Sequence, residues 1–161
     1  MERFELAPML AEEICAHARE AYPEEACGVI AGTGSDGVTL YRGRNLSPTP
    51  CTAFDLDADT LARQLDFEDV GLAMTAIYHS HPAGPETPSP LDVNEVSWAY
   101  PDSVTIICSL ADIGNPVLRA FRIGYGLARE IPLVRAPEVV TLTSQSLGNT
   151  LFTKERALDV P

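Results

Sequence analysis

Four prolines within nine residues, Pro82, Pro85, Pro88 and Pro90, interrupt the chain between two of its most apolar stretches. Proline fixes φ and has no amide hydrogen, so neither a helix nor a central strand can run through such a segment. The stretch before it, Leu72–Ser80 (LAMTAIYHS), reads as a buried strand that ends in histidines. Beyond the prolines, Pro90 suits the first turn of a short helix reaching to about Tyr100. Ser103–Leu110 (SVTIICSL) follows as the clearest strand in the sequence, β-branched and almost wholly apolar.

The remaining elements fill in around this core. Pro8 to about Tyr22 reads as a helix, with Leu10, Ile14, Ala18 and Ala21 at helical spacing and Pro23 ending it. His17 lies in that helix with no second ligand at metal spacing and is expected to be a surface or packed histidine. Ala26–Ala31 is expected to be a strand, joined by the turn-rich Gly32–Gly37 to a second strand at Val38–Tyr41. A short strand is expected near Cys51–Leu56, then a helix capped by Asp57 or Asp59 with Leu61 and Leu65 on one face. Further strands are expected at Val117–Ile123 and Glu130–Val134. The sum is an α/β protein with a mixed β-sheet and two or three flanking helices. Residues 1–135 are expected to form one domain and 136–161 an irregular C-terminal tail.

Composition narrows the function. At 161 residues, 45% hydrophobic and 21% charged, the chain can bury a core without disulfides. No apolar run is long enough to span a bilayer, and MERFELAPML lacks the features of a signal peptide, so a cytoplasmic location and no membrane partner are expected. A net charge of −12, from 23 acidic against 11 basic side chains, disfavours nucleic acid as a partner. Cys15, Cys27, Cys51 and Cys108 form no CxxC pair, which argues against a cysteine-rich zinc site; Cys15, Cys51 and Cys108 are expected to be buried thiols.

The chemistry concentrates in Tyr78–Asp92, YHSHPAGPETPSPLD. His79 and His81 stand two apart at a strand end, so both imidazoles face the same way and can converge on one cation. Asp92, in the first turn of the next helix, is a possible third ligand. Three protein ligands with an open fourth position describe a catalytic site better than a structural one. A competing reading makes Ser89 the helix N-cap, Pro90 its N1 residue and Asp92 the partner of a capping box. The two readings are expected to exclude each other, because a carboxylate bound to metal is not free to satisfy the Ser89 amide.

His79-Ser80-His81-Pro82, six residues, Ser89, two residues, Asp92 resembles the JAMM (Jab/MPN metalloenzyme) signature H-x-H-P-x(6)-S-x(2)-D without gap or substitution. Upstream, Pro23–Gly32 (PEEACGVIAG) is similar to the family's strand after the first helix, with Glu25 at the glutamate position. The resemblance covers about two-thirds of the chain, from the first helix to the Ser103–Leu110 strand. It implies a cytidine-deaminase-like JAMM/MPN core and one Zn2+ per chain on His79, His81 and Asp92. Glu25 would accept a proton from the attacking water and pass it to the leaving amine, while Ser89 would donate a hydrogen bond to the developing oxyanion. Short connections make the chain similar to the compact, stand-alone prokaryotic members. The implied activity is a peptidase or isopeptidase, and the implied substrate is a ubiquitin-fold sulfur-carrier protein or its C-terminal adduct.

Two other functions compete. A cysteine hydrolase would use Cys27 with a histidine base, but the nearby Glu25 carboxylate would raise the thiol pKa. A non-catalytic MPN-type scaffold with a structural metal would need a fourth protein ligand to close the site. A zinc nucleobase deaminase is excluded, since its H-x-E and P-C-x-x-C elements are absent.

Overall fold

The computed structural model describes residues 2–101 and 103–136; the expected tail at 136–161 therefore lies, beyond Ala136, outside the described residues. The elements, in chain order, are β1 (Phe4–Leu6), α1 (Pro8–Ala21), β2 (Cys27–Gly32), β3 (Asp36–Gly37), β4 (Thr39–Gly43), α2 (Ala58–Leu61), α3 (Arg63–Asp69), β5 (Ala73–His81), α4 (Pro90–Ala99), β6 (Val104–Ser109), β7 (Val117–Gly124), β8 (Leu127–Ile131) and β9 (Leu133–Arg135). Six strands form one mixed sheet in the order β4-β2-β5-β6-β7-β8, in which only β5 and β6 run parallel. The α4 crossover supplies that parallel connection, which a tight hairpin could not. No helix among the described residues is long and apolar enough to cross a membrane.

The sheet is buried on both faces, and period-two alternation sorts its side chains between two cores. Ala76 and Tyr78 of β5, with Ile106 and Cys108 of β6, pack against Ala11, Ile14 and Ala18 of α1. Ile77 and Ile107 face the other way, onto Phe67 of α3 and Val96 of α4. By the same alternation His79 and His81 belong to the α4 side. The face that receives α4 is thus the face that presents the two histidines.

Four expectations are corrected, and one strand lies outside them. Phe4–Leu6 is a strand, β1, which pairs in parallel with β3 and β9 to form a small second sheet. Cys51–Leu56 is a loop, with only an isolated bridge between Asn45 and Leu56. The single helix expected after Asp57 is two short ones meeting at Ala62, although Asp57 does cap the first by accepting from the Thr60 amide. Glu130–Val134 is split by Pro132, so that β8 ends the large sheet and β9 joins the small one. Cys51 is exposed and Cys15 half-buried, leaving Cys108 as the buried one of those three thiols; Cys27 is buried as well.

Gly28 is required by packing. A Cβ there would lie 2.4 Å from the Tyr41 carbonyl oxygen and 2.4 Å from the Tyr78 ring. Tyr78 itself is fully buried, with its hydroxyl 2.8 Å from Nδ1 of His17, which makes His17 a packed histidine. Neither obstacle is the loose end of a flexible side chain. Gly28→Ala is therefore expected to destabilise the protein by about 2–3 kcal/mol, read as a lower urea midpoint at unchanged slope. An unchanged midpoint would show that β2 and Tyr78 yield easily.

Candidate metal centre

His79, His81 and Asp92 come together although the third lies eleven positions beyond the second. Strand β5 delivers the histidines on one face, and the proline-bearing loop turns the chain so that α4 begins over them. Gly84 in that loop has φ +68°, and a Cβ on it would meet the Ala111 side chain at 3.0 Å, so the loop lies close against the chain after β6. The two imidazole Nε2 atoms are 3.0 Å apart. One Asp92 oxygen lies 3.3 Å from Nε2 of His79 and the other 3.2 Å from Nε2 of His81. All three residues are buried.

Asp92 also caps α4. Its Oδ2 accepts from the Ser89 amide at 2.6 Å, and its own amide donates to Ser89 Oγ at 3.1 Å, completing a capping box. Capping and clustering with the histidines thus occur together in one side chain. A carboxylate has two oxygens and about four lone-pair sites, enough to serve the helix and the imidazoles together.

The hydrogen bonds fix how the histidines present themselves. Nδ1 of His81 is 2.8 Å from the Pro85 carbonyl, which can only accept, so Nδ1 carries a hydrogen. In neutral His81 the Nε2 lone pair then faces the cluster, the arrangement used by metal-ligating histidines. Burial pushes the His79 pKa down against the pull of Asp92. For His81 burial acts the same way, but the hydrogen bonds to Asp92 and Pro85 and the nearby carboxylates outweigh it and move its pKa up. Burial alone would raise Asp92, yet hydrogen bonds from His79, His81 and the Ser89 amide hold its carboxyl well below the usual range. Two nitrogens and two carboxylate oxygens, buried and this close, need a cation or a proton among them. They fit a divalent metal ion.

Glu25 stands just before β2, 5% exposed, close enough for the charges of His81 and Asp92 to act on it. Burial pushes its carboxyl up to about 7, and its Oε2 has no hydrogen-bond partner. Cys27, two residues on, is pushed up to about 12 by burial and by the Asp57 and Glu25 carboxylates. Such a thiol stays protonated, which removes it as a nucleophile.

Two residues of this region were not singled out in the sequence. The Asn45 side-chain nitrogen lies 3.1 Å from the Glu25 carbonyl and 3.0 Å from that of Ala53, while its oxygen accepts from the Ser47 and Asp55 amides at 3.0 Å each. The Glu25 amide in turn donates to the Pro50 carbonyl at 2.7 Å. Asn45 thus ties the 45–56 loop to the backbone of Glu25. Phe54, flanked by two residues that Asn45 holds, stacks on the His79 ring with centroids 4.5 Å apart. Beside it a groove of about 520 Å³ runs between this loop and α4, lined by Ser47, Pro48, Phe54, Asp55, Glu95 and Trp98 among others.

A buried carboxyl with a raised pKa weakens the fold when it ionises. Below pH 4.5 Glu25 is protonated in both the folded and the unfolded chain and costs nothing. Between pH 4.5 and about 7 the folded protein holds the extra proton, so stability falls as pH rises, and the full cost is present above pH 7. Glu25→Gln is expected to stabilise the metal-free protein by about 2–3 kcal/mol at pH 8 and by almost nothing at pH 4.5. Equal urea midpoints for the two proteins at pH 8 would place Glu25 in water instead.

Residues 8–124 match the family of prokaryotic homologs of the JAB domain. The chain is 36% identical over 126 residues to a probable TtuB-protein conjugate cleaving protease of Thermus thermophilus, covering 78% of each protein. It is 34% identical over 126 residues to the CysO-cysteine peptidase of Mycobacterium tuberculosis, covering 77% of this chain and 85% of that one. Its fold is similar to the solution structure of a Desulfitobacterium hafniense protein, with a TM-score of 0.72 at 33% identity over 84% of this chain and 94% of that one. With a matching domain across most of its length and a His-His-Asp cluster at its centre, the chain belongs to the prokaryotic JAB-domain family.

Proposed function

We propose that the protein is a zinc-dependent peptidase that hydrolyses the amide bond joining the C-terminus of a small ubiquitin-like, sulfur-carrier type protein to its adduct. The observation that carries this reading is the buried convergence of His79, His81 and Asp92 beside a carboxyl, Glu25, whose pKa lies near neutrality. The relatives named for TtuB conjugates and for CysO-cysteine support the substrate class.

His79, His81 and Asp92 would hold one zinc ion per chain. When bound, zinc acts as a Lewis acid toward the scissile carbonyl and lowers the pKa of water. Glu25 takes the proton of the attacking water through its unpartnered Oε2 and gives it to the departing amine as the C–N bond breaks. A pKa near 7 suits both halves of that task. Ser89 Oγ accepts from the Asp92 amide, which leaves its hydroxyl hydrogen to meet the oxygen on which negative charge develops. The groove between the 45–56 loop and α4 has room for a few residues of extended chain and is lined by Phe54, whose ring stacks on His79.

The test uses CysO bearing a C-terminal cysteine and a TtuB–protein conjugate as substrates. Native protein is expected to cleave at least one, chelation to abolish cleavage, and added zinc to restore it. Glu25→Ala is expected to keep one metal per chain while losing about 10²–10⁴-fold in kcat. Native turnover in that variant would remove Glu25 from the mechanism. Full metal content with no turnover on either conjugate would favour a structural metal in a non-catalytic scaffold.

A further inference from the structure

Helix α4 presents a second face to solvent. Leu91, Asn94, Glu95 and Trp98 recur at i, i+3, i+4 and i+7 and so lie along one stripe, which starts beside Asp92 and ends at Trp98. Leu91 is 42% and Trp98 84% exposed. At that end the stripe meets the turn between β7 and β8, whose Tyr125 is fully exposed. Trp98 and Tyr125 line one cavity of about 490 Å³ with Asn94, Ser97, Pro101 and Gly126. The Gly126 amide donates to Ser97 Oγ at 3.3 Å, which ties the turn to the helix and makes the two aromatics parts of one surface.

Tyr125 is out of place if the turn alone mattered. Its φ of +53° is a conformation that glycine or asparagine adopts far more readily than a bulky side chain. The ring is fully exposed, so burial does not account for the backbone conformation. Exposed aromatics that cost backbone energy and sit on a rigid scaffold mark a contact surface.

The position of this surface says what contacts it. Trp98 and Asn94 also line the groove that holds Phe54, whose ring stacks on His79, so the cavity and the groove are continuous. A carrier tail lying in the groove can therefore reach its folded body across Trp98. Asp55 and Glu95 line the groove, and among the described residues no lysine or arginine lines either cavity, so the partner face is apolar with a basic rim. We infer that the Trp98–Tyr125 surface docks the folded body of the ubiquitin-fold carrier while its tail occupies the groove. This rests on the proposed function and adds to it where the carrier is gripped.

The experiment compares kcat/KM for the intact CysO conjugate with kcat/KM for a short peptide copying its C-terminal residues and adduct. Tyr125→Asn, which suits the turn backbone, is expected to lower the ratio of the two about tenfold, and Tyr125→Phe to restore it. An unchanged ratio in Tyr125→Asn, with both substrates still cleaved, overturns the docking surface and leaves the peptidase standing. The comparison is made on the TtuB conjugate and its peptide if that is the conjugate cleaved, and a native protein that cleaves neither conjugate overturns the proposed function and this surface with it. If Tyr125→Asn instead converts a dimer to monomers in sedimentation and leaves the ratio unchanged, the face joins two copies of this chain and the proposal fails.

Discussion

The Asp92 carboxylate, held between two buried imidazoles and the first turn of α4, is the contact on which the rest of the site depends. Removing a carboxylate from water is costly unless its lone pairs are met by donors or positive charge. Here the Ser89 amide donates to it, Nε2 of both histidines lies within 3.3 Å so that a proton or a cation can be shared with them, and the helix N-terminus adds its partial positive charge. The same residue therefore fixes where α4 starts and what the histidines face. A metal ion placed among these groups would add to an arrangement the helix cap already holds.

Around this contact the fold works as a set of restraints on side-chain direction. Pairing of β5 with β2 and β6 keeps His79 and His81 on the α4 side of a sheet buried on both faces. The Pro85 carbonyl sets the ring of His81, and Phe54 covers the ring of His79. Asn45 links Phe54's loop to the backbone of Glu25. Glu25 and the three clustered residues thus come from three separate segments that share one framework. Catalytic geometry of this kind tolerates little slack, since a misplacement of about 1 Å can cost about a hundredfold in rate.

Much of this was legible in the sequence because its signals are local. The helical spacing of Ile14 and Ala18, the β-branched run of β6, and the histidines two apart before a proline all act within a few residues. What escaped is non-local or short. Phe4–Leu6 becomes a strand only because β3 and β9 lie alongside it, and three residues carry no usable period. Cys51–Leu56 has strand-like residues, but the Asn45 side chain supplies the hydrogen bonds a ladder would have supplied. Pro132 lacks an amide hydrogen, and its effect is to pass the chain from one sheet to the other. The stacking of Phe54 on His79 joins residues 25 positions apart, which no window reveals. For Asp92 the sequence suggested a choice between capping and metal; in the fold the carboxylate caps α4 through Oδ2 while Oδ1 faces His79 and Oδ2 also faces His81.

His79, His81 and Asp92 are proposed to share one divalent ion and to leave room on it for solvent. X-ray absorption at the edge of the bound metal, on protein loaded with one ion per chain, tests it most directly. Two imidazole nitrogens are expected, with oxygen making up the remaining neighbours and no sulfur. A sulfur neighbour, or a third imidazole closing the coordination shell, would contradict it and turn the centre into a structural one.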